Sequence, residues 1–250
     1  CGWYGLALAK KLHSLGYEVK GSTTSVSKLA DLTSVGITPY LVNVEEGINQ
    51  YDEQFFDCDV LFIAIPPKSK SPQGGDYLLK IKAIADLSEK FGVKQIILIS
   101  SSGIYPDDNF IVDETTIPRP NTESGVTLLN AENILQSNTT FTTTIIRFTG
   151  LIGPGRNLGK YFAGKTDIPN GLAPINLIHL TDCLGLSLAI IQQKAFGKIY
   201  HGVSPSHLTR KEFYAKACLA SGLEKPMFLN ELLAWKQIES KNVPEVLAYE

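Results

Sequence analysis

Gly2–Trp3–Tyr4–Gly5 stands immediately ahead of Leu6–Ala7–Leu8–Ala9–Lys10–Lys11–Leu12, a segment with helical apolar spacing. A helix that begins on glycines is suited to anion binding. Its first N–H groups lack partners, its dipole is positive at that end, and the absent Cβ atoms let a diphosphate approach the backbone. The spacing is that of the second half of G-x-G-x-x-G, with Cys1 in the first variable position and the first glycine expected just ahead of it. Gly2, Trp3, Tyr4 and Gly5 are therefore candidates to hold a pyrophosphate. The plainer alternative is a tight turn that brings a helix and a strand close together.

The end of the next strand bears on which nucleotide fits. An NAD site places a carboxylate there to accept from the ribose hydroxyls. This chain reads Gly21–Ser22–Thr23–Thr24–Ser25, then Lys28. Hydroxyls and a cation suit a 2′-phosphate that a carboxylate would repel. Thr23, Thr24, Ser25 and Lys28 thus favour NADP, with NAD as the alternative. The same run would also serve as a polar loop in which Ser25 or Ser27 caps the following helix.

Positioning such a turn requires a sheet, and the patterning supplies one. Residues 17–20, 38–42, 60–65, 95–99 and 142–146 read as strands. Residues 77–90 and 127–136 read as helices, and the first helix stops at Gly16. Near-continuous apolar strands separated by helices imply a doubly wound α/β parallel sheet. Its first strand is expected ahead of Cys1. Past residue 150 the pattern loosens into Gly/Pro loops, then a helix over 182–193, a strand over 197–203 and a helix over 210–221. The expected organisation is a core of residues 1–150, rejoined by 183–203, with a small C-terminal lobe of 151–182 and 204–250.

Composition narrows the class. The 250 residues are 44% hydrophobic and 19% charged, with a formal net charge of −2. No basic excess is available to track a phosphate backbone, so nucleic acid is a poor expectation. The apolar runs fall short of the roughly 20 residues that cross a bilayer, and no signal-peptide pattern opens the chain. Four scattered cysteines without a CxxC pair fit reduced thiols and a cytoplasmic setting. There is no H-E-x-x-H and no G-x-S-x-G, so no metal and no hydrolase chemistry is expected.

Several ordered motifs in the second half carry a family resemblance. They are Ile99–Ser100–Ser101–Ser102–Gly103–Ile104–Tyr105, Val112–Asp113–Glu114, Ala131–Glu132, Arg147, Gly150, Gly153–Pro154–Gly155–Arg156, and Asn176–Leu177–Ile178–His179–Leu180–Thr181–Asp182. Together they resemble the extended short-chain dehydrogenase/reductase superfamily, which contains NAD(P)-dependent epimerases and dehydratases of nucleotide-sugars. The opening turn and the stretch Tyr161–Phe162–Ala163–Gly164–Lys165 resemble an atypical bacterial branch of it. The resemblance implies that Asn43 reads the adenine and that Ala64, Ile65 and Pro66 pass beneath a ribose. It implies a hydroxyl, Ser101 or Ser102, that polarises a substrate oxygen, and a substrate side formed by Gly153, Arg156 and Asn176. It also implies a small-molecule substrate, and a homodimer formed through the helices near residues 77–90 and 127–136.

One departure bears on the chemistry. The superfamily's Tyr-x-x-x-Lys pair, in which the ammonium draws the phenol's pKa toward neutrality, falls on Ser124 and Leu128 if Glu132 marks the motif's end. Tyr105 is then the nearest phenol, with ring packing at the sheet edge as its plainer role. His179 reads as structural, Asp182 as a helix cap, and Glu114 as a solvated or capping acid. Arg147 reads as an ion-pair partner at the sheet end, and Arg156 as the better anion ligand. The expected activity is hydride transfer to or from a carbonyl or carbinol. The alternative is a non-catalytic NAD(P) sensor or interaction module.

Overall fold

The computed structural model describes residues 1–45, 48–67 and 77–249. The chain enters α1 (Trp3–Ser14), which buries Tyr4, Leu8, Ala9 and Leu12 along one face. Gly16, at φ +86°, takes the left-handed conformation that turns the chain out of the helix. The amides of Gly16 and Tyr17 bond back to the carbonyls of His13 and Leu12 at 3.0 and 3.2 Å. That closing motif uses up Tyr17, so the strand expected from residue 17 begins at Lys20. β1 (Lys20–Thr23), α2 (Leu29–Thr33) and β2 (Thr38–Leu41) follow, with the two strands paired in parallel. β3 (Asn43–Glu45) then pairs antiparallel with β4 (Ile48–Gln50).

The central layer comes next: β5 (Val60–Ile63), α3 (Tyr77–Lys90), β6 (Gln95–Ser101), β7 (Phe110–Val112), α4 (Glu123–Gln136) and β8 (Thr142–Phe148). The C-terminal part adds β9 (Gly150–Ile152), β10 (Leu177–His179), α5 (Leu180–Gln192), β11 (Ile199–Gly202), α6 (Arg210–Ala220), β12 (Lys236–Ile238) and α7 (Asn242–Leu247). β11, β8, β6 and β5 lie side by side in that order in one parallel sheet. Ile96, Ile97, Leu98, Ile145 and Ile146 at its centre are fully buried, as helices on both faces require of apolar strands. β1 and β2 form a sheet of their own among the described residues. Lys20 ties the start of β1 to the approach to β5, donating from Nζ to the carbonyls of Gln54 and Asp57. The outlying strands pair as β9 with β10 and β7 with β12, both in parallel. No helix among the described residues is long and apolar enough to cross a membrane.

Other boundaries also differ from expectation. α4 starts four residues early because Thr122 caps it, accepting from the Gly125 amide at 3.1 Å. The C-terminal residues 242–249 pack against the cluster beneath α5. Leu247 joins that cluster, and Gln193 Nε2 donates to its carbonyl at 2.8 Å. Glu114 anchors this segment as a cap, accepting from the amides of Lys241 and His201 and from the Ser240 hydroxyl at 2.6–2.8 Å.

A chain of buried polar groups holds α4 to the sheet. Arg147 (2% exposed) faces Glu132 (0% exposed). Its Nε and Nη2 donate to the two carboxylate oxygens at 3.1 and 2.6 Å. Ser100 Oγ donates to Glu132 Oε1 at 2.5 Å, and Arg147 Nη1 donates to the Tyr105 hydroxyl at 2.5 Å. With its oxygen already accepting from Arg147, Tyr105 donates onward to His201 Nε2 at 3.0 Å. His201 Nδ1 in turn donates to the Glu239 carbonyl at 2.9 Å. In a neutral imidazole with its proton on Nδ1, Nε2 is left to accept from the tyrosine hydroxyl. Burial lowers the His201 pKa below its ordinary value, with Glu114 opposing and Arg147 reinforcing the shift.

Glu132→Ala strands the Arg147 charge inside the protein, and urea denaturation should show a loss of about 3–5 kcal/mol. His201 gives a pH signature. The unfolded chain binds its proton below about pH 6.5 while the folded chain does not. Its contribution to stability is level above that pH and falls as pH drops through it, by up to about 1.4 kcal/mol per pH unit. The stability difference between wild type and His201→Gln, followed from about pH 8 to about pH 5, should change in that window. A constant difference would refute the neutral assignment.

Candidate cofactor and substrate site

The start of α1 is wedged between two strand ends. The Cys1 nitrogen donates to the Ser22 carbonyl in β1. A Cβ on Gly5 would lie 4.0 Å from the Cβ of Ala64, the first residue past β5. A Cβ on Gly2 would meet nothing within 4 Å. Gly2 is the N-cap, no side chain caps the helix, and its first turn carries no acid. A glycine N-cap with room where its Cβ would stand, no side-chain cap and parallel strand ends beside it suit a diphosphate.

The two residues between the glycines face other ways. Tyr4 is buried, its hydroxyl 2.6 Å from Ser187 Oγ on α5 and its ring edge-on to Phe148 at 5.3 Å. Burial holds its pKa well above the ordinary phenol value. Only its backbone is left to meet a ligand. Trp3 is half-buried, and its indole N–H donates to the Pro154 carbonyl at 2.9 Å.

Beyond β1, the Thr23 hydroxyl accepts from the Ser25 amide at 3.1 Å, and the Ser25 and Ser27 hydroxyls are 2.8 Å apart. Ser25 stands at the N-cap of a helical turn, but its side chain makes no capping bond. Thr24 and Lys28 are exposed. Asn43 is half-buried in β3, following Val42, whose amide donates to the Thr23 carbonyl at 3.0 Å. Ala64 is half-buried, and Ile65 and Pro66 are exposed past the end of β5.

At the end of β6 the structure separates the three serines. Ser100 is committed to Glu132. Ser101 Oγ accepts from the Gly103 amide at 3.1 Å and caps a helical turn. Ser102 is 8% exposed, and among the described residues its hydroxyl makes no hydrogen bond within the chain. Tyr105, weighed above as a substitute phenol, is instead a structural member of the polar chain. It is 1% exposed, and burial pushes its pKa up to about 12 against the opposing pull of Arg147. Ser124 is exposed at the start of α4, whereas Leu128 packs in the core.

The presumed substrate side divides. Gly153, at φ +144°, brings the loop so close that a Cβ there would stand 3.3 Å from the Trp3 ring. Arg156 is exposed and lies over that ring, 4.0 Å from its centroid. A cleft of about 420 Å³ runs from Ile152 and Gly153 past Arg156 to Phe213 and Ala217 on α6. Asn176 lines a second, polar cavity of about 290 Å³ with Asp107, Asn170, Arg210 and Lys236. Its amide bonds to β12, donating to the Lys236 carbonyl and accepting from the Ile238 amide, both at 2.8 Å. Asn176 therefore shapes that cavity and ties its wall to β12, with one N–H and one oxygen lone pair of its amide still uncommitted. His179, not Asp182, caps α5, with Nδ1 accepting from the Thr181 amide at 3.2 Å.

Lys236 was not legible as a site residue. Its Nζ donates to the Tyr105 carbonyl at 2.5 Å and pairs with Asp107 at 3.2 Å. No local motif marks it, because its partners lie about 130 residues earlier. Arg210, beside the Phe162 and Phe228 rings, is equally silent in the sequence.

Residues 1–174 match the NAD(P)H-binding family. Protein YeeZ of Escherichia coli K12 is 35% identical over 234 residues, covering 92% of this chain and 85% of its own length. Among solved structures, UDP-glucuronic acid 4-epimerase from Bacillus cereus in complex with NAD superposes with a TM-score of 0.81 at 18% identity, covering 100% of this chain and 88% of that one. A short-chain dehydrogenase/reductase superfamily protein from Agrobacterium tumefaciens with bound NAD gives 0.79 at 16% identity, covering 100% and 89%. The chain belongs to the NAD(P)H-binding family, on the fold of the extended short-chain dehydrogenase/reductases.

Proposed function

We propose that this protein is an NAD(P)-dependent oxidoreductase or epimerase-like enzyme acting on a carbonyl or carbinol group of a small polar molecule, with nucleotide-sugars as the substrate class. The observation that carries the reading is the open space before Gly2, at an uncapped helix start between the ends of β1 and β5, in a chain of the NAD(P)H-binding family. Nucleotide-sugars enter by likeness of fold to enzymes such as UDP-glucuronic acid 4-epimerase.

The backbone of Gly2 to Gly5 would hold the diphosphate, and the exposed Thr24 and Lys28 beyond β1 favour a 2′-phosphate, hence NADP. Asn43 would meet the adenine, and Ala64 to Pro66 would floor the ribose. Bound there, the nicotinamide would supply or accept hydride. Ser102, whose hydroxyl has no partner among the described residues, would donate to the substrate oxygen. No phenol–ammonium pair stands at positions 124 and 128, so positioning and this donor carry the acceleration. Residues 1–150 with 183–203 form the cofactor half, and the outer loops with α6 form the substrate half. Free cysteines fit a reducing cytoplasm.

Leu128, packed in the core where the ammonium would stand, favours a second reading as a non-catalytic NAD(P) sensor. Calorimetric titration with NADP, NAD and their reduced forms, followed by NADPH oxidation against carbonyls and nucleotide-sugars, separates the two. Turnover that falls about a hundredfold in Ser102→Ala, with cofactor affinity unchanged, is expected of the enzyme. Binding without any turnover, and with different affinities for the oxidised and reduced forms, would move the assignment to the sensor.

A further inference from the structure

Trp3 at the start of α1 and Pro154 in the loop after β9 are 151 residues apart in sequence, and the two segments touch through the side chains of Trp3 and Arg156. Trp3 follows Gly2 directly, and its indole N–H donates to Pro154. The Arg156 guanidinium lies on the indole face at 4.0 Å. The loop is bent for this approach: the Arg156 amide donates to the Gly153 carbonyl at 3.1 Å. At Gly153 itself a Cβ would stand 3.3 Å from the Trp3 ring and 3.0 Å from the Leu180 Cβ. Arg156 is nevertheless exposed and forms no ion pair among the described residues. Its side chain makes a single long hydrogen bond there, from Nη1 to the Leu151 carbonyl at 3.4 Å. A ring stack fixes the plane of a guanidinium and leaves its N–H edge free, the geometry that serves a phosphate group.

We propose that Arg156 is a cofactor-binding residue contributed by the substrate-side loop: held on the Trp3 ring, it closes over the diphosphate that the start of α1 receives. This rests on the reading of that helix start as the cofactor site. Two phosphates carry more negative charge than a helix terminus offsets, and Arg156 supplies a full positive charge beside it. The same residue walls the 420 Å³ cleft, so a bound dinucleotide also orders one side of the space a substrate would enter. Lys28 has a different task, at the far end of the nucleotide.

Titration calorimetry with NAD and NADP on wild type, Arg156→Gln, Arg156→Lys, Trp3→Leu and Lys28→Gln tests this. Arg156→Gln should weaken both nucleotides by about tenfold, because both contain the diphosphate, and Arg156→Lys should recover part of the loss. Trp3→Leu should weaken both as well, and adding Arg156→Gln to it should cost less than in wild type, since the platform is already gone. Lys28→Gln should weaken NADP alone. Circular dichroism melts should be unchanged for the exposed Arg156 variants. Equal affinity of Arg156→Gln and wild type overturns the proposal, as does a loss that lysine does not relieve at all. If wild type binds neither nucleotide, the cofactor reading itself falls and this inference with it, an outcome visible before any variant is made.

Discussion

A guanidinium can lie inside a protein only if its charge and its donors are answered there, and Arg147 sets that condition for the carboxyl edge of this sheet. Glu132 answers it from α4 with both oxygens, and Tyr105 answers it from the turn after β6. Meeting those demands brings three elements to one point. Ser100 joins them by donating to Glu132, which fixes the end of β6, and with it the exit of the strand toward Ser101 and Ser102. The order of donors passes through Tyr105 to His201 and reaches the backbone of Glu239. The C-terminal segment is thereby registered against the sheet by the same groups that position the serines.

The start of α1 depends on a second set of contacts. α1 must present its first amides to open space without being free to move, and no cap holds them. Tyr4 fastens its start to α5 through Ser187, and Gly5 lets it lie against Ala64. Trp3 braces it from the opposite side against Pro154 and Arg156. The start of α1 is therefore braced from several sides although no side chain caps it, which is the preorganisation the proposed diphosphate site would need. Leu128, expected from the sequence to stand where the superfamily's lysine would fall, has a packing role of its own. Leu128 belongs to the apolar layer between α3, α4 and β6, so this helix face contributes to the core.

Much of the architecture could be read from patterning because it depends on local periodicity. The helix over 77–90 is observed with those bounds, and the buried runs at β5, β6 and β8 appear where continuous apolar stretches stand. Errors fell where side chains cap or turns consume residues. Tyr17 went into the closure of α1, Thr122 lengthened α4, and His179 displaced Asp182 as the cap of α5. Such choices turn on a single hydrogen bond, which composition over a window does not register. The glycine turn, the serine run and the polar stretch after β1 were legible as candidates. Their sorting was not, since Ser100, Ser101 and Ser102 differ only in what each meets.

The sequence by itself determined a doubly wound α/β sheet and a helix opening on Gly2 and Gly5, together with the absence of the tyrosine–lysine pair at Ser124 and Leu128. These follow from residue types at short spacing, where backbone sterics and apolar period act within a few residues. Only the tertiary structure decided that Tyr105 is a buried link, that Asn176 is tied to β12, that of Ser100, Ser101 and Ser102 only the last makes no side-chain hydrogen bond among the described residues, and that Arg156 rests on Trp3. Each of those outcomes is set by partners far away along the chain, brought together by the packing of the sheet, its helices and the long loops after β8.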